Sequence, residues 1–322
     1  MSLTPKYLTQ EQKNKLKKSA TIASLSLSIS LCLLKIFGAL YTGSLAVLSS
    51  MIDSLTDIFA SAITVIAVRY SSQPESYYFR YGYGKAEAIS ALIQSAFIAG
   101  SGIFIMYDGV NRIFYPRVIT QTSIGILIMV IALISTLCLV YYQRYVTKLT
   151  ASQAISADSA HYLVDILTNI SIIFSLIIVK YFNINWFDSL TAIGISTYLL
   201  YNAYKIAAEA VNTLMDAELN NEIRQNIKDI VMECPFSKGI HDLRTHDLGG
   251  RYMFEFHLEL DGELSLAAAH DMTELVEDNL LDAYPNAVII IHQDPVGIKE
   301  ERLDNKLKIN NKKKSTKKYL GK

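Results

Sequence analysis

The 322-residue chain is 51% hydrophobic and 19% charged, with a mean hydropathy of +0.25. That balance is too apolar for an ordinary soluble protein and too charged for a chain wholly in lipid, so a membrane part joined to a soluble part accounts for both figures. Thirty Lys and Arg offset thirty Asp and Glu, which leaves no global basic surface for nucleic acid, and three cysteines make no disulfide framework.

Residues 1–19 form a polar N-terminal segment carrying Lys13, Lys15, Lys17 and Lys18. No small-residue cleavage site follows, so the first apolar window is expected to be retained. Six windows, at residues 20–41, 44–70, 86–114, 120–142, 154–181 and 186–204, are each long enough to cross a bilayer at ~20 residues per span. A transmembrane domain over 20–206 follows. Tyr41-Thr-Gly-Ser44 reads as a tight turn, and residues 71–85 as a longer polar loop broken by Pro74, Gly82 and Gly84. The N-terminal lysines, Arg69, Arg80, Lys85, Arg144, Lys148 and Lys205 fall on one side, against Arg112, Arg117 and Lys180 on the other. The positive-inside rule then places both termini in the cytoplasm.

From about residue 214 the period changes. Residues 220–232 pattern as a helix, 240–247 and 251–261 as strands joined around Gly249-Gly250, 264–283 as a second helix and 287–293 as a third strand. This α-β-β-α-β order over 207–297 predicts a small two-layer domain with helices on one sheet face. The lysine-rich stretch 298–322 has no apolar period and reads as a disordered tail, with attraction to anionic lipid as a secondary role.

Two motifs carry the chemistry. Asp53-Ser-Leu-Thr-Asp57 and His161-Tyr-Leu-Val-Asp165 each place two metal-capable side chains at i and i+4, on one helix face. Both sit inside apolar windows, where an ionisable group costs roughly 2.5–3.5 kcal/mol even on the lenient insertion scale. Ser50, Asp53, Asp57, Ser61 and Thr64 form one polar stripe on the second span. His161, Asp165 and Thr168 form another on the fifth, with Asn169 adjacent. At ~1.5 Å per residue Asp53 and His161 both fall near the midplane. Three carboxylates and an imidazole suit Zn²⁺ in a tetrahedron, with Fe²⁺, Co²⁺ and Cd²⁺ as alternatives. Neighbouring carboxylates in a low dielectric cannot all stay ionised, so protons occupy the site when metal does not. Metal requires deprotonated ligands, and the exchange makes an antiporter, with His161 the first candidate proton carrier. Asp108 and Asp158 lie nearer the span ends and read as interfacial, solvated groups.

These motifs resemble the cation diffusion facilitator family, in its bacterial zinc and ferrous-iron efflux branch. The likeness runs from about residue 20 to 295. It includes Asp53-Ser-x-x-Asp57, Gly84-Lys-Ala-Glu87, His161-Tyr-x-x-Asp165, His241-Asp-Leu-Arg-Thr245 and Ile291-His-Gln-Asp-Pro295. The resemblance implies a homodimeric, proton-coupled exporter in the bacterial inner membrane, with six spans and a ferredoxin-like cytoplasmic domain. It implies that Asp53, Asp57, His161 and Asp165 are the transport site. His241, His257, His270, His292 and Asp294 would be a binuclear cytoplasmic zinc site, with Asp294 bridging. Lys85 and Asp216 match a charged pair that interlocks the protomers. The strand pattern agrees in part: Phe254, Phe256, Leu258 and Leu260 alternate toward a core and leave Glu255, His257 and Glu259 on the other face. His246 has no ligand counterpart and reads as a surface residue. One departure stands out. Where relatives carry an Asp and two His in the loop between spans two and three, this chain has Ser76, Phe79 and Tyr83, poor Zn²⁺ ligands at neutral pH, and that loop site is expected to be absent. The competing classes are a membrane metal sensor without transport and a membrane metalloenzyme. The latter lacks a His-Glu-x-x-His motif and an open zinc position.

Overall fold

The computed structural model describes residues 8–42, 45–114, 123–182, 187–298 and 301–306; side chains at 38–42, 45–53, 123–128, 172–173, 175–182 and 187–188 lie outside that description. The chain divides into two compact units, Met1–Leu214 and Met215–Lys322.

The first unit is a helical bundle of α1 (Gln10–Thr42), α2 (Leu45–Ser71), α3 (Ala86–Phe114), α4 (Ser123–Thr150), α5 (Gln153–Phe182) and α6 (Phe187–Leu214). Among the described residues, Gln10–Phe37, Ala86–Phe114 and Met129–Thr150 are long and apolar enough to cross a membrane. α5 is the hub, because it contributes to each of the unit's apolar clusters. Ala154 and Ile155 pack with Ala20, Val68 and Val146; Ala157 with Ala88, Ala91 and Ala210; Val164 with Ile98, Leu199 and Ala203; Tyr162 and Ile166 with Leu139 and Val140. α3 lies close along α6. A Cβ added at Gly102 would stand 3.2 Å from the Leu200 side chain, and one at Gly109 would stand 3.1 Å from Ala192 Cβ. Small residues at such crossings let helix backbones approach where no water drives association.

One end of the bundle is tied by a buried ion pair. Lys17 Nζ of α1 lies 2.8 Å from Glu87 Oε1 of α3, and both side chains are under a tenth exposed. Ser71 Oγ also donates to Glu87 Oε1 at 2.9 Å, and Ser152 donates to its other oxygen. An ion pair out of water persists only with such added hydrogen bonds.

The second unit runs α7 (Asn221–Glu233), β1 (Gly239–Asp247), β2 (Tyr252–Leu260), α8 (Leu266–Ala283) and β3 (Val288–Pro295). Asn220 and Ser265 cap the two helices through the N–H groups of Ile223 and Ala268, as their side-chain oxygens suit them to do. The sheet order is β1-β2-β3, with β1 antiparallel and β3 parallel to β2. Ile227, Val231, Leu243, Phe254, Phe256, Leu258, Leu260, Val276 and Leu280 form the core beneath one sheet face. The β1–β2 turn places Gly249 and Gly250 at φ +93° and +94°, a region that glycine enters without strain, and the Asp247 carboxylate accepts both of their N–H groups.

Of the lysine-rich stretch 298–322, residues 298 and 301–306 are described. Residues 303–306 form one helical turn, and the segment docks on the sheet. Leu303 and Asp304 donate their N–H groups to Asp242 Oδ2 and Oδ1 at 2.8 and 3.0 Å, and Arg302 pairs with Glu259.

Candidate metal sites

In the helical unit, α2 and α5 bring Asp57 and His161 together. His161 Nε2 lies 3.1 Å from Asp57 Oδ1, with side chains 5% and 15% exposed. His161 Nδ1 is buried without a hydrogen-bond partner among the described residues. An unpaired polar atom in such a place costs free energy unless something else occupies its lone pair or proton. The imidazole and the Asp57 carboxylate are donor types suited to a borderline divalent cation. Asp165 stands one turn further along α5 and is partly buried. Asp53 lies on α2 one turn before Asp57, and its side chain, like that of Ser50, is outside the described residues.

The other described residues of the two polar stripes make contacts of their own. Thr168 donates to the Val164 and Asp165 carbonyls, and Asn169 to the Asp165 carbonyl. Ser61 Oγ lies 3.0 Å from Ser24 Oγ and 2.8 Å from Tyr162 Oη, and Thr64 accepts from Gln94.

These side chains belong to a buried network around Asp158, which is fully buried rather than interfacial. Its carboxylate accepts Ser24 Oγ at 2.6 Å, Gln143 Nε2 at 2.6 Å and Gln94 Nε2 at 3.4 Å. The burial was hidden because the donors come from α1, α4 and α3. Asp108 pairs with Arg112 on its own helix at 2.7 Å, both side chains about three-tenths exposed.

In the loop before α3, Ser76, Phe79 and Tyr83 engage one another. Ser76 Oγ lies 2.9 Å from Tyr83 Oη, Phe79 N donates to Ser76 Oγ, and the Phe79 and Tyr83 rings are 4.8 Å apart.

In the sheet unit the register assembles a histidine row. His241 pairs with His257 across β1–β2, and His257 with His292 across β2–β3. The ring centroids are 4.9 and 4.7 Å apart. A bulge between His241 and Arg244 turns His241 to the side of His257 while Leu243 enters the core. Asp294, two residues past His292, closes the group. Its Oδ2 lies 2.7 Å from His257 Nδ1 and 3.5 Å from His241 Nε2, and its Oδ1 lies 3.2 Å from His292 Nε2. His241, His257 and Asp294 each offer a ligand atom within 4.8 Å of the others, a donor set that fits Zn²⁺. His292 borders this set. His270 does not join it within the chain: it is exposed on α8 and lies 3.3 Å from Glu274. His246 is not a free surface group, since its Nε2 lies 3.5 Å from Asp216 Oδ1 and its side chain is only 23% exposed. Beside His241, burial pushes the Asp242 carboxyl up. The N–H groups of Asp304 and Leu303 and the imidazoles of His241 and His257 outweigh that and hold it below the usual carboxylate range.

A family description for the cation efflux transmembrane domain matches residues 21–215, and one for the cation efflux protein cytoplasmic domain matches residues 219–296. The chain is 40% identical over 292 residues to the cation-efflux pump FieF of Serratia proteamaculans, covering 91% of this chain and 97% of that one. It is 39% identical over 289 residues to FieF of Escherichia coli strain K12 / DH10B, covering 88% and 94%. A solved metal-bound C-terminal domain of the CzcD transporter from Thermotoga maritima aligns over 26% of this chain and 100% of its own, at 23% identity and a TM-score of 0.24, and no argument rests on it.

Proposed function

The chain belongs to the cation efflux family of integral membrane transporters, and from that premise we propose that it exports Zn²⁺ from the cytoplasm in exchange for protons. Members of the family are transporters rather than enzymes, so the metalloenzyme class falls away. Divalent metal efflux is the family's activity; the choice of zinc over Fe²⁺, Cd²⁺ or Co²⁺, the proton coupling and alternating access are our reading.

The contact between His161 and Asp57 carries the proposal. Two ionisable side chains from different helices meet in the bundle interior, with one imidazole nitrogen left unpaired. With Asp53 and Asp165 one turn away on the same helices, they make the four-ligand set of the transport site. Imidazole suits Zn²⁺ better than the hard ions that prefer all-oxygen sites. Metal needs both groups deprotonated, so a proton shared between Asp57 and His161 must leave as metal enters. Metal entry therefore expels protons, and protonation from the far side releases metal.

We extend the reading to six spans, both termini in the cytoplasm of a bacterial inner membrane, and a ferredoxin-like soluble domain that holds a homodimer. The soluble site would be His241, His257 and Asp294, completed by His292 and by His270. Lys85 and Asp216 would interlock the protomers. A zinc ion bound there would supply a fixed positive charge that gathers the imidazoles, and Asp294, touching three of them, would orient the set.

Zinc flux into proteoliposomes against an imposed proton gradient tests the function. Asp57→Ala, Asp165→Ala and His161→Ala should each abolish flux above the protein-free rate. Zinc binding with no flux in the wild type would refute export and leave a sensor. Comparison of Zn²⁺, Fe²⁺, Cd²⁺ and Co²⁺ in the same vesicles decides the cargo.

A further inference from the structure

The soluble cluster contains a carboxylate that its ligand set does not use, and resting on the metal reading of that cluster, it can be assigned a task. The His241 ring has an acid at each nitrogen. Nε2 faces Asp294 Oδ2 at 3.5 Å, on the side of His257, while Nδ1 faces Glu259 Oε1 at 3.3 Å. Glu259 thus stands behind the ring. The 3.3 Å approach is an ion-pair distance rather than a hydrogen bond, and a carboxylate on that side of the ring steers it electrostatically so that Nε2 faces the ligand set.

The Glu259 side chain is only 13% exposed, and a buried carboxylate needs a counter-charge. The counter-charge comes from beyond the last strand. Arg302 pairs with Glu259 Oε1, the same oxygen that faces His241. The backbone next to Arg302 is anchored to the residue beside His241: Asp242 accepts the N–H groups of Leu303 and Asp304, and its own N–H donates to Asp304 Oδ2 at 3.4 Å. Asp242 has φ +52° at the bulge, a strained value for a non-glycine residue that these contacts help to hold. Residues 302–304 therefore straddle His241, touching a carboxylate on either side of it.

We propose that Glu259 is a positioning residue for the metal ligand His241, and that Arg302 of the C-terminal segment competes with the metal for its charge. A guanidinium on Glu259 Oε1 competes with the imidazole for the same oxygen and weakens the carboxylate's hold on the ring's orientation. A divalent ion at Nε2 repels the guanidinium and draws Glu259 toward the imidazole. Each event disfavours the other, and by linkage the two effects are equal in size. The segment is then a built-in antagonist of metal loading, released as metal binds.

Zinc isotherms of the full-length chain in detergent, less the isotherm of Asp294→Ala, isolate the soluble site. Arg302→Ala should bind zinc there roughly fivefold or more tightly than wild type, Arg302→Lys should fall between the two, and Glu259→Gln should bind about tenfold or more weakly. Hydrogen exchange of peptides spanning 301–306 should quicken when zinc is added to wild type, and should be fast with or without zinc in Arg302→Ala. If Glu259→Gln does not fold, the Arg302 variants and the exchange data still decide. A purely structural segment would loosen in Arg302→Ala without tightening zinc. Unchanged or weakened binding by Arg302→Ala, or exchange in wild type that ignores zinc, overturns the proposal. Coincident isotherms for wild type and Asp294→Ala would instead refute the soluble metal site itself.

Discussion

Asp158 shows what a single buried acid demands of its surroundings. It is fully buried and its described hydrogen bonds come from neutral donors, Ser24, Gln94 and Gln143, on three other helices. Removing the acceptor strands those donors in a place that water does not reach, and each unsatisfied buried group costs about 1–3 kcal/mol. Asp158→Ala should therefore lower the stability of the detergent-purified chain by about 2–4 kcal/mol on that scale. Asp158→Asn, which keeps the shape and one carbonyl acceptor, should lose less than half as much. Thermal unfolding of the two variants checks this, and equal losses would show that volume rather than hydrogen bonding governs the position. His161 obeys the opposite logic. Its orphan Nδ1 is tolerated at a cost that a bound cation would remove, so under the metal reading zinc should raise the unfolding temperature of wild type and leave that of His161→Ala less affected.

At the scale of elements, α5 is held by every neighbour while α3 and α6 meet through glycines. Gly109→Leu would drive a side chain into Ala192 and Ile193, where a Cβ alone already stands 3.1 Å from Ala192. Overpacking of this kind costs about 1–3 kcal/mol. Gly100 has nothing within 4 Å of its added Cβ, so Gly100→Leu should leave thermal unfolding near wild type and serve as the control. Much of this scaffold was legible beforehand, for reasons that differ between the units. The long apolar windows marked the helices, and the i,i+4 polar spacing marked the faces of α2 and α5 that meet at Asp57 and His161, because both signals are local. The alternation of Phe254, Phe256, Leu258 and Leu260 likewise gave the outward face of His257. What stayed hidden depends on long-range pairing. Asp158 is solvated or buried according to side chains on α1, α3 and α4. His241 reaches the face of His257 only through a bulge that a strict period of two would not place there. Arg302 lies in a lysine-rich stretch that carries no apolar pattern, so nothing local marks its docking on Glu259.

At the scale of the whole molecule, the family's cytoplasmic domain matches residues 219–296, the stretch that contains the histidine row, so under the proposed reading metal loading and dimerisation would fall on one unit. The row is built from cross-strand neighbours, and three imidazoles whose successive ring centroids are under 5 Å apart would repel one another if protonated. A bound cation would replace that repulsion by shared attraction and would stiffen the sheet face. Under the dimer reading, a ligand that binds the dimer better than the protomer must strengthen it, by an amount that grows with the logarithm of its concentration above its dissociation constant. Zinc should then raise the dimer fraction of the full-length chain, measured by sedimentation at concentrations near its dissociation midpoint. His257→Ala should show the metal-free midpoint with or without zinc. Under the same reading, zinc loading of the row should speed flux in proteoliposomes, and the same substitution should remove that increase while flux without it persists. Zinc-dependent association that survives both His257→Ala and Asp294→Ala would move the dimerising metal site elsewhere, and would sever the link between the histidine row and transport.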